Sequence, residues 1–66
     1  MEITVNGQPH QTAEGITIAE LLEELQLSDK PVAVEVNLRL VPKPQHAEHR
    51  LAAGDQLEIV TLVGGG

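Results

Sequence analysis

The stretch Ile16-Thr17-Ile18-Ala19-Glu20-Leu21-Leu22-Glu23-Glu24-Leu25 decides the fold. Thr17 followed three residues later by Glu20 is a capping box, in which the Thr hydroxyl and the Glu carboxylate each take one amide hydrogen that a helical first turn leaves without a partner. Ile16 and Leu21 stand where a hydrophobic staple requires apolar residues, just before the cap and four positions into the helix. Ile18, Leu21, Leu22 and Leu25 then follow the i, i+3, i+4, i+7 rule and share one face. Glu20, Glu23 and Glu24 take the opposite side. With no histidine on the helix, these glutamates read as a solvated face rather than a metal or acid/base site. Ser28-Asp29-Lys30-Pro31 is expected to end the helix, because the residue before a proline is pushed out of the helical region.

The flanking segments read as strands. Residues 2–5 alternate, with Ile3 and Val5 on one side, and meet Asn6-Gly7, the strongest short-range hairpin signal. A returning strand through His10 to Thr12 is expected at a sheet edge, since Pro9 has no amide to give to a ladder. Residues 32–38 alternate over a longer span, Val32, Val34, Val36 and Leu38 one way and Ala33, Glu35 and Asn37 the other. Leu40 and Val41 extend or resume that strand, and Pro42 and Pro44 close it. Gly54-Asp55 marks a turn before a last strand over 56–63, with Leu57, Ile59, Thr61 and Val63 on one face. Hairpin, helix, strand, loop and strand make an α+β domain, a sheet of four or five strands with one helix of about three turns across one face. The coil-rich stretch 43–53 is long for so small a domain and is either a functional loop or hides a further element.

The whole chain has 66 residues, enough for one domain only, and 41% of them are hydrophobic. There is no Phe, Trp or Tyr, so the core is aliphatic and the stacking platforms of single-stranded nucleic-acid binders are absent. Ten acidic residues against four basic ones leave a net charge of −6, which opposes phosphate backbones and anionic membranes. Neither nucleic acid nor membrane is an expected partner. No cysteine is present, hence no disulfide, no Cys-based zinc site and no thiol nucleophile. The start lacks a basic segment followed by a long apolar run, and nothing approaches the roughly 18 apolar residues of a membrane span, so a cytoplasmic location is expected.

Candidate chemistry is sparse. His10, His46 and His49 invite a zinc reading, yet His-x-x-His outside a clear helix guarantees no convergence, and exposed loop histidines are the simpler account. No nucleophile elbow, phosphate-binding glycine loop or paired-carboxylate motif occurs, so no catalytic residues and no metal ligands are assigned. The ending Gly64-Gly65-Gly66 is what stability does not explain, because three glycines after a strand add no packing and are costly to order. Two readings stand: a frayed end or an artificial scar, or a thread. Lacking Cβ atoms, a triglycine enters a channel as narrow as a backbone and reaches about 10 Å past the strand. On the second reading residues 1–63 form the domain and 64–66 a flexible tail.

The Asn6-Gly7 hairpin, the Leu21-Leu22 helix, Val32-Ala33-Val34-Glu35-Val36-Asn37, Val41-Pro42, Gly54-Asp55 and the ending Glu58-Ile59-Val60-Thr61-Leu62-Val63-Gly64-Gly65-Gly66 together resemble the ThiS family of sulfur carriers. These are ThiS/MoaD-type, ubiquitin-like β-grasp proteins of thiamine biosynthesis. The likeness spans the chain and departs from the family pattern at His46 and Leu62, where members often carry an aromatic residue. The resemblance implies a carrier, not an enzyme. An ATP-dependent, E1-like adenylating enzyme (ThiF-like) would activate the carboxylate of Gly66, and a persulfide sulfur donor would convert it to a thiocarboxylate. A thiazole synthase (ThiG-like) would accept that sulfur. Gly64 and Gly65 would thread into the partner's site, and Val60 and Leu62, opposite Ile59 and Thr61, would form an exposed docking patch. No bound cofactor is implied; ATP is the activating partner's. Two alternatives remain at this level: a related β-grasp carrier for molybdopterin synthesis or protein thiolation and conjugation, and a β-grasp binding module with no terminal chemistry.

Overall fold

The computed structural model describes residues 1–62. Strand β1 (Glu2–Val5) and strand β2 (Gln8–Gln11) form a hairpin, helix α1 (Ile18–Glu24) follows, and β3 (Val32–Val36) leads to the two-residue β4 (Arg39–Leu40). A 3-10 turn (Lys43–Gln45) precedes β5 (Gln56–Thr61). The strands form one sheet in the order β2-β1-β5-β3-β4. The last strand therefore lies at the centre, parallel to β1 and antiparallel to β3. This mixed sheet with one main helix is the ubiquitin-like β-grasp. The proline strand β2 is at an edge as expected, with Pro9 opposite Thr4.

Local chemistry accounts for both ends of α1. Thr17 caps it: the Glu20 backbone amide donates to the Thr17 hydroxyl at 3.1 Å, and the Thr17 amide donates to the Glu20 carboxylate at 2.9 Å. The helix stops earlier than the proline suggested. Gln26 adopts φ 63°, its amide donates to the Glu23 carbonyl at 3.0 Å, and the Leu27 amide donates to the Leu22 carbonyl at 2.7 Å. That pair of bonds is a Schellman ending, closed here by a glutamine where glycine is usual. Leu25 is consequently only half-buried at the helix end, while Ile18, Leu21 and Leu22 are buried.

These three side chains pack with Ile3, Val34, Val36, Leu57 and Ile59 in one aliphatic core, and Val5 flanks it. Leu38 does not continue the inward face of β3. Asn37 and Leu38 have φ of 51° and 70°, the double positive φ of a type I′ hairpin turn, so the chain reverses there and Leu38 is 86% exposed. Alternation along 32–38 could not foresee the reversal, because Asn-Leu is not a usual turn pair.

The stretch 43–53 does hide structure. Besides the 3-10 turn, it places Leu51 in the core, Val41 is buried just before it, and an isolated bridge joins Thr17 to Arg50. His46 is not an exposed loop histidine. It is buried at 6% exposure, its ring nitrogen Nε2 lies 2.8 Å from the Val41 carbonyl, and its own carbonyl accepts the Ala19 amide at 3.0 Å. It thus ties the loop to the start of the helix. No helix of the described residues is long and apolar enough to cross a membrane.

Candidate functional site

Three imidazoles do not converge. His10 meets the Glu24 carboxylate at 3.0 Å, His46 is engaged as described, and among the described residues no group of three His, Cys, Asp or Glu could hold a metal ion.

Alternation along β5 turns Leu57 and Ile59 into the core, and Gln56, Glu58 and Val60 outward. Val60 is 56% and Leu62 53% exposed, so both residues expected in a docking patch do face solvent. Val60 stands opposite Ala33, Glu35 opposite both Glu58 and Leu40. Cross-strand partners share a face, so Leu40 joins Val60 on the side of the sheet away from the helix. With Leu38 at the hairpin tip, four large aliphatic side chains are exposed among the described residues. Glu35 and Glu58, like charges directly opposite each other, sit among them. A shallow cavity of about 250 Å³ opens there between Thr4, Gly7, Glu35, Leu38 and Gln56. Sequence reasoning found Val60 and Leu62 by alternation and missed Leu38 and Leu40, because their exposure depends on the turn at Asn37.

Two turn asparagines hold β5 from either side. The Asn6 carboxamide accepts the Ile59 amide at 2.8 Å and donates to the Ile59 carbonyl at 3.1 Å, while the Asn6 backbone amide donates to the Leu57 carbonyl at 2.9 Å. Its side chain thus acts as one more residue of β1 after the backbone has turned away. On the other flank the Asn37 carboxamide accepts the Gln56 amide at 3.0 Å and donates to Asp55 at 3.0 Å, and Asp55 accepts the Ala52 amide at 2.8 Å. Asn6 was legible as a turn former by its glycine neighbour, whereas Asn37 reads in the sequence as a strand residue and only its φ of 51° makes it one. Neither bond to β5 had a local signal, since Asn6 and Ile59 are 53 positions apart.

Val63, expected as the last inward residue of the strand, and Gly64, Gly65 and Gly66, expected as thread and reactive end, lie outside the described residues.

A family model described as the ThiS family matches residues 3–66. The chain is 38% identical to the sulfur carrier protein ThiS of Escherichia coli, over the whole of both chains. It is 41% identical to a segment of the thiazole synthase of Paramagnetospirillum magneticum, where it spans only 20% of that protein's length. The crystal structure of a thiamine biosynthesis protein (ThiS) from Geobacter metallireducens superposes with a TM-score of 0.86 at 32% identity, covering all of both chains.

Proposed function

The chain belongs to the ThiS family, and from that membership we propose that it carries sulfur for thiazole formation in thiamine biosynthesis, as a thiocarboxylate at Gly66. It is a carrier and not an enzyme. The observation that carries this reading is the family match itself, which runs through residue 66 and so takes in the glycine ending.

The chemistry explains what such an end needs. A carboxylate is a poor electrophile. Attack of its oxygen on the α-phosphorus of ATP, with pyrophosphate leaving, makes an acyl adenylate in the site of an E1-like adenylating enzyme. A persulfide sulfur then attacks the acyl carbon and AMP leaves. A thiol cleaves the resulting acyl disulfide and frees the thiocarboxylate. The chain has no cysteine, so both sulfur nucleophiles come from partners and no thiol of its own competes for exchange. Gly64 and Gly65 offer no side chain to a narrow channel.

Val60 and Leu62, joined by Leu38 and Leu40, form the face that meets the adenylating enzyme, and the acidic surface favours a partner presenting basic groups. A thiazole synthase is the acceptor this reading selects over a molybdopterin or protein-conjugation acceptor, because a segment similar to this chain occurs within a protein named thiazole synthase. The reaction belongs in the cytoplasm, where ATP and reduced thiols are supplied.

Intact mass after incubation with an E1-like adenylating enzyme, ATP and a persulfide donor tests the reading. Replacement of one oxygen by sulfur is expected in the full chain, none after deletion of Gly66, and little for Gly65→Val, whose branched side chain blocks a narrow channel. Undiminished pyrophosphate exchange by the Gly66 deletion would leave the binding-module alternative standing.

A further inference from the structure

The backbone of β5 is unequally covered on its two edges. Toward β3, the Asn37 amide reaches the Gln56 carbonyl and the Leu62 amide reaches the Pro31 carbonyl at 2.8 Å, so in an antiparallel ladder the backbone groups of residues 56, 58, 60 and 62 point to β3. The groups of Leu57, Ile59 and Thr61 point to the other edge. There Leu57 is met by β1, and Ile59 by the Asn6 carboxamide on both its amide and its carbonyl. Thr61 is the next position on that edge and is exposed; among the described residues no backbone or side-chain hydrogen bond reaches its amide or carbonyl. The hairpin has turned back at Asn6-Gly7, and among the described residues no strand continues the line of β1.

We propose that an extended backbone segment of the adenylating enzyme adds to β5 at Thr61, occupying the line of β1 beyond the Asn6 side chain. This inference rests on the carrier reading above. An unpaired strand edge is a template for another strand, and pairing through main-chain groups is an established mode of peptide recognition. The occupant follows from where the chain goes. On the carrier reading the reactive group is the Gly66 carboxylate, four residues on from Leu62, and four residues span at most about 14 Å. An enzyme that acts on Gly66 therefore stands within that distance of Leu62 and alongside Thr61. Val60 and Leu62 on the outer face give such a segment an apolar surface to run against.

The test uses ATP–pyrophosphate exchange by the cognate adenylating enzyme with the full chain and two substitutions. Thr61→Pro removes an amide hydrogen that no described bond uses, and Thr61→Val alters the side chain but keeps that hydrogen. The KM for the carrier is expected to rise about tenfold for Thr61→Pro, as loss of one main-chain bond at an interface predicts, while Thr61→Val keeps the low KM and the melting temperature of Thr61→Pro stays close to wild type. Wild-type KM for Thr61→Pro overturns the proposal, and an equal loss for Thr61→Val overturns it in favour of side-chain recognition. Should Thr61→Pro lower the melting temperature, amide exchange in the wild-type chain decides: the Thr61 amide becomes protected when the enzyme and a non-hydrolysable ATP analogue are added, or the proposal falls. A wild-type chain that supports no exchange refutes the carrier reading and its occupant together, which is distinct from exchange that is indifferent to Thr61.

Discussion

Replacing Asn6 by glycine isolates the side-chain clamp on β5 from the turn that carries it. Asn6 has φ 52°, a conformation glycine adopts without strain, so Asn6→Gly keeps the turn and deletes only the two carboxamide bonds to Ile59. A net intramolecular hydrogen bond contributes about 0.5 to 1.5 kcal/mol, and these two are partly exposed, which lets water replace some of what is lost. The expected cost is about 1 to 2 kcal/mol. Asn6→Ala adds the strain of a left-handed alanine, about 1 to 2 kcal/mol more. In Asn6→Asp the carboxylate still accepts the Ile59 amide but faces the Ile59 carbonyl, where the carboxamide donated at 3.1 Å, and one attraction becomes a repulsion. Against a stability of about 3 to 10 kcal/mol for a domain of this length, each change is readable by urea denaturation as a lower midpoint at constant slope. Faster amide exchange at Ile59 should accompany it, since that amide donates to the Asn6 carboxamide. An Asn6→Gly protein within about 0.3 kcal/mol of wild type, below the range of a net hydrogen bond, would show that the clamp is a geometric coincidence and that β1 and β3 alone hold the strand.

Leu21 is fully buried under the sheet, so Leu21→Ala should cost about 2 to 5 kcal/mol and leave a barely folded chain, seen as a collapsed melting temperature; a loss under about 1 kcal/mol would mean the helix is not packed where described. On the proposed function, Leu62→Asp should weaken binding to an E1-like adenylating enzyme in a calorimetric titration with little change in melting temperature, because half of its surface is already in water; unaltered affinity would remove it from the proposed docking face. Glu20 is held below the usual carboxylate range, first by the Thr17 backbone amide and then by its bond with the Thr17 side chain; desolvation opposes these two, and the Arg50 charge adds the least. A carboxyl whose folded pKa is lowered contributes stability that is present above its unfolded pKa and lost as pH falls through the folded one. Melting curves taken down through that acid range should therefore fall more steeply for the wild type than for Glu20→Gln, and parallel acid limbs would refute the assignment.

Much of this domain can be read along one line of residues. The capping box, the staple and the face of Ile18, Leu21, Leu22 and Leu25 lie within ten positions, so the start of α1 and its buried side follow from contacts between near neighbours. The outward placement of Val60 follows likewise from a period of two once Leu57 and Ile59 are inside. The end of α1 has no such local signal, because a Schellman closure at Gln26 uses a residue with no special tendency toward positive φ. Val41, His46 and Leu51 carry no period at all, being single buried residues in a proline-broken stretch.

Sequence by itself determined the class of fold, the helix and its apolar face, the alternation of the strands, the exclusion of thiol chemistry, and the family to which the glycine ending belongs. Tertiary structure alone decided that β5 is the central strand, that Leu38 turns outward, that a histidine fills the joint between loop and helix, and that Asn6 completes the strand it had just left. The division has a physical reason. Periodicity and caps arise from interactions a few residues long and are written in neighbouring letters. Strand order and the Asn6–Ile59 clamp join residues some fifty positions apart, and such pairs become neighbours only when burial of the aliphatic core has closed the sheet.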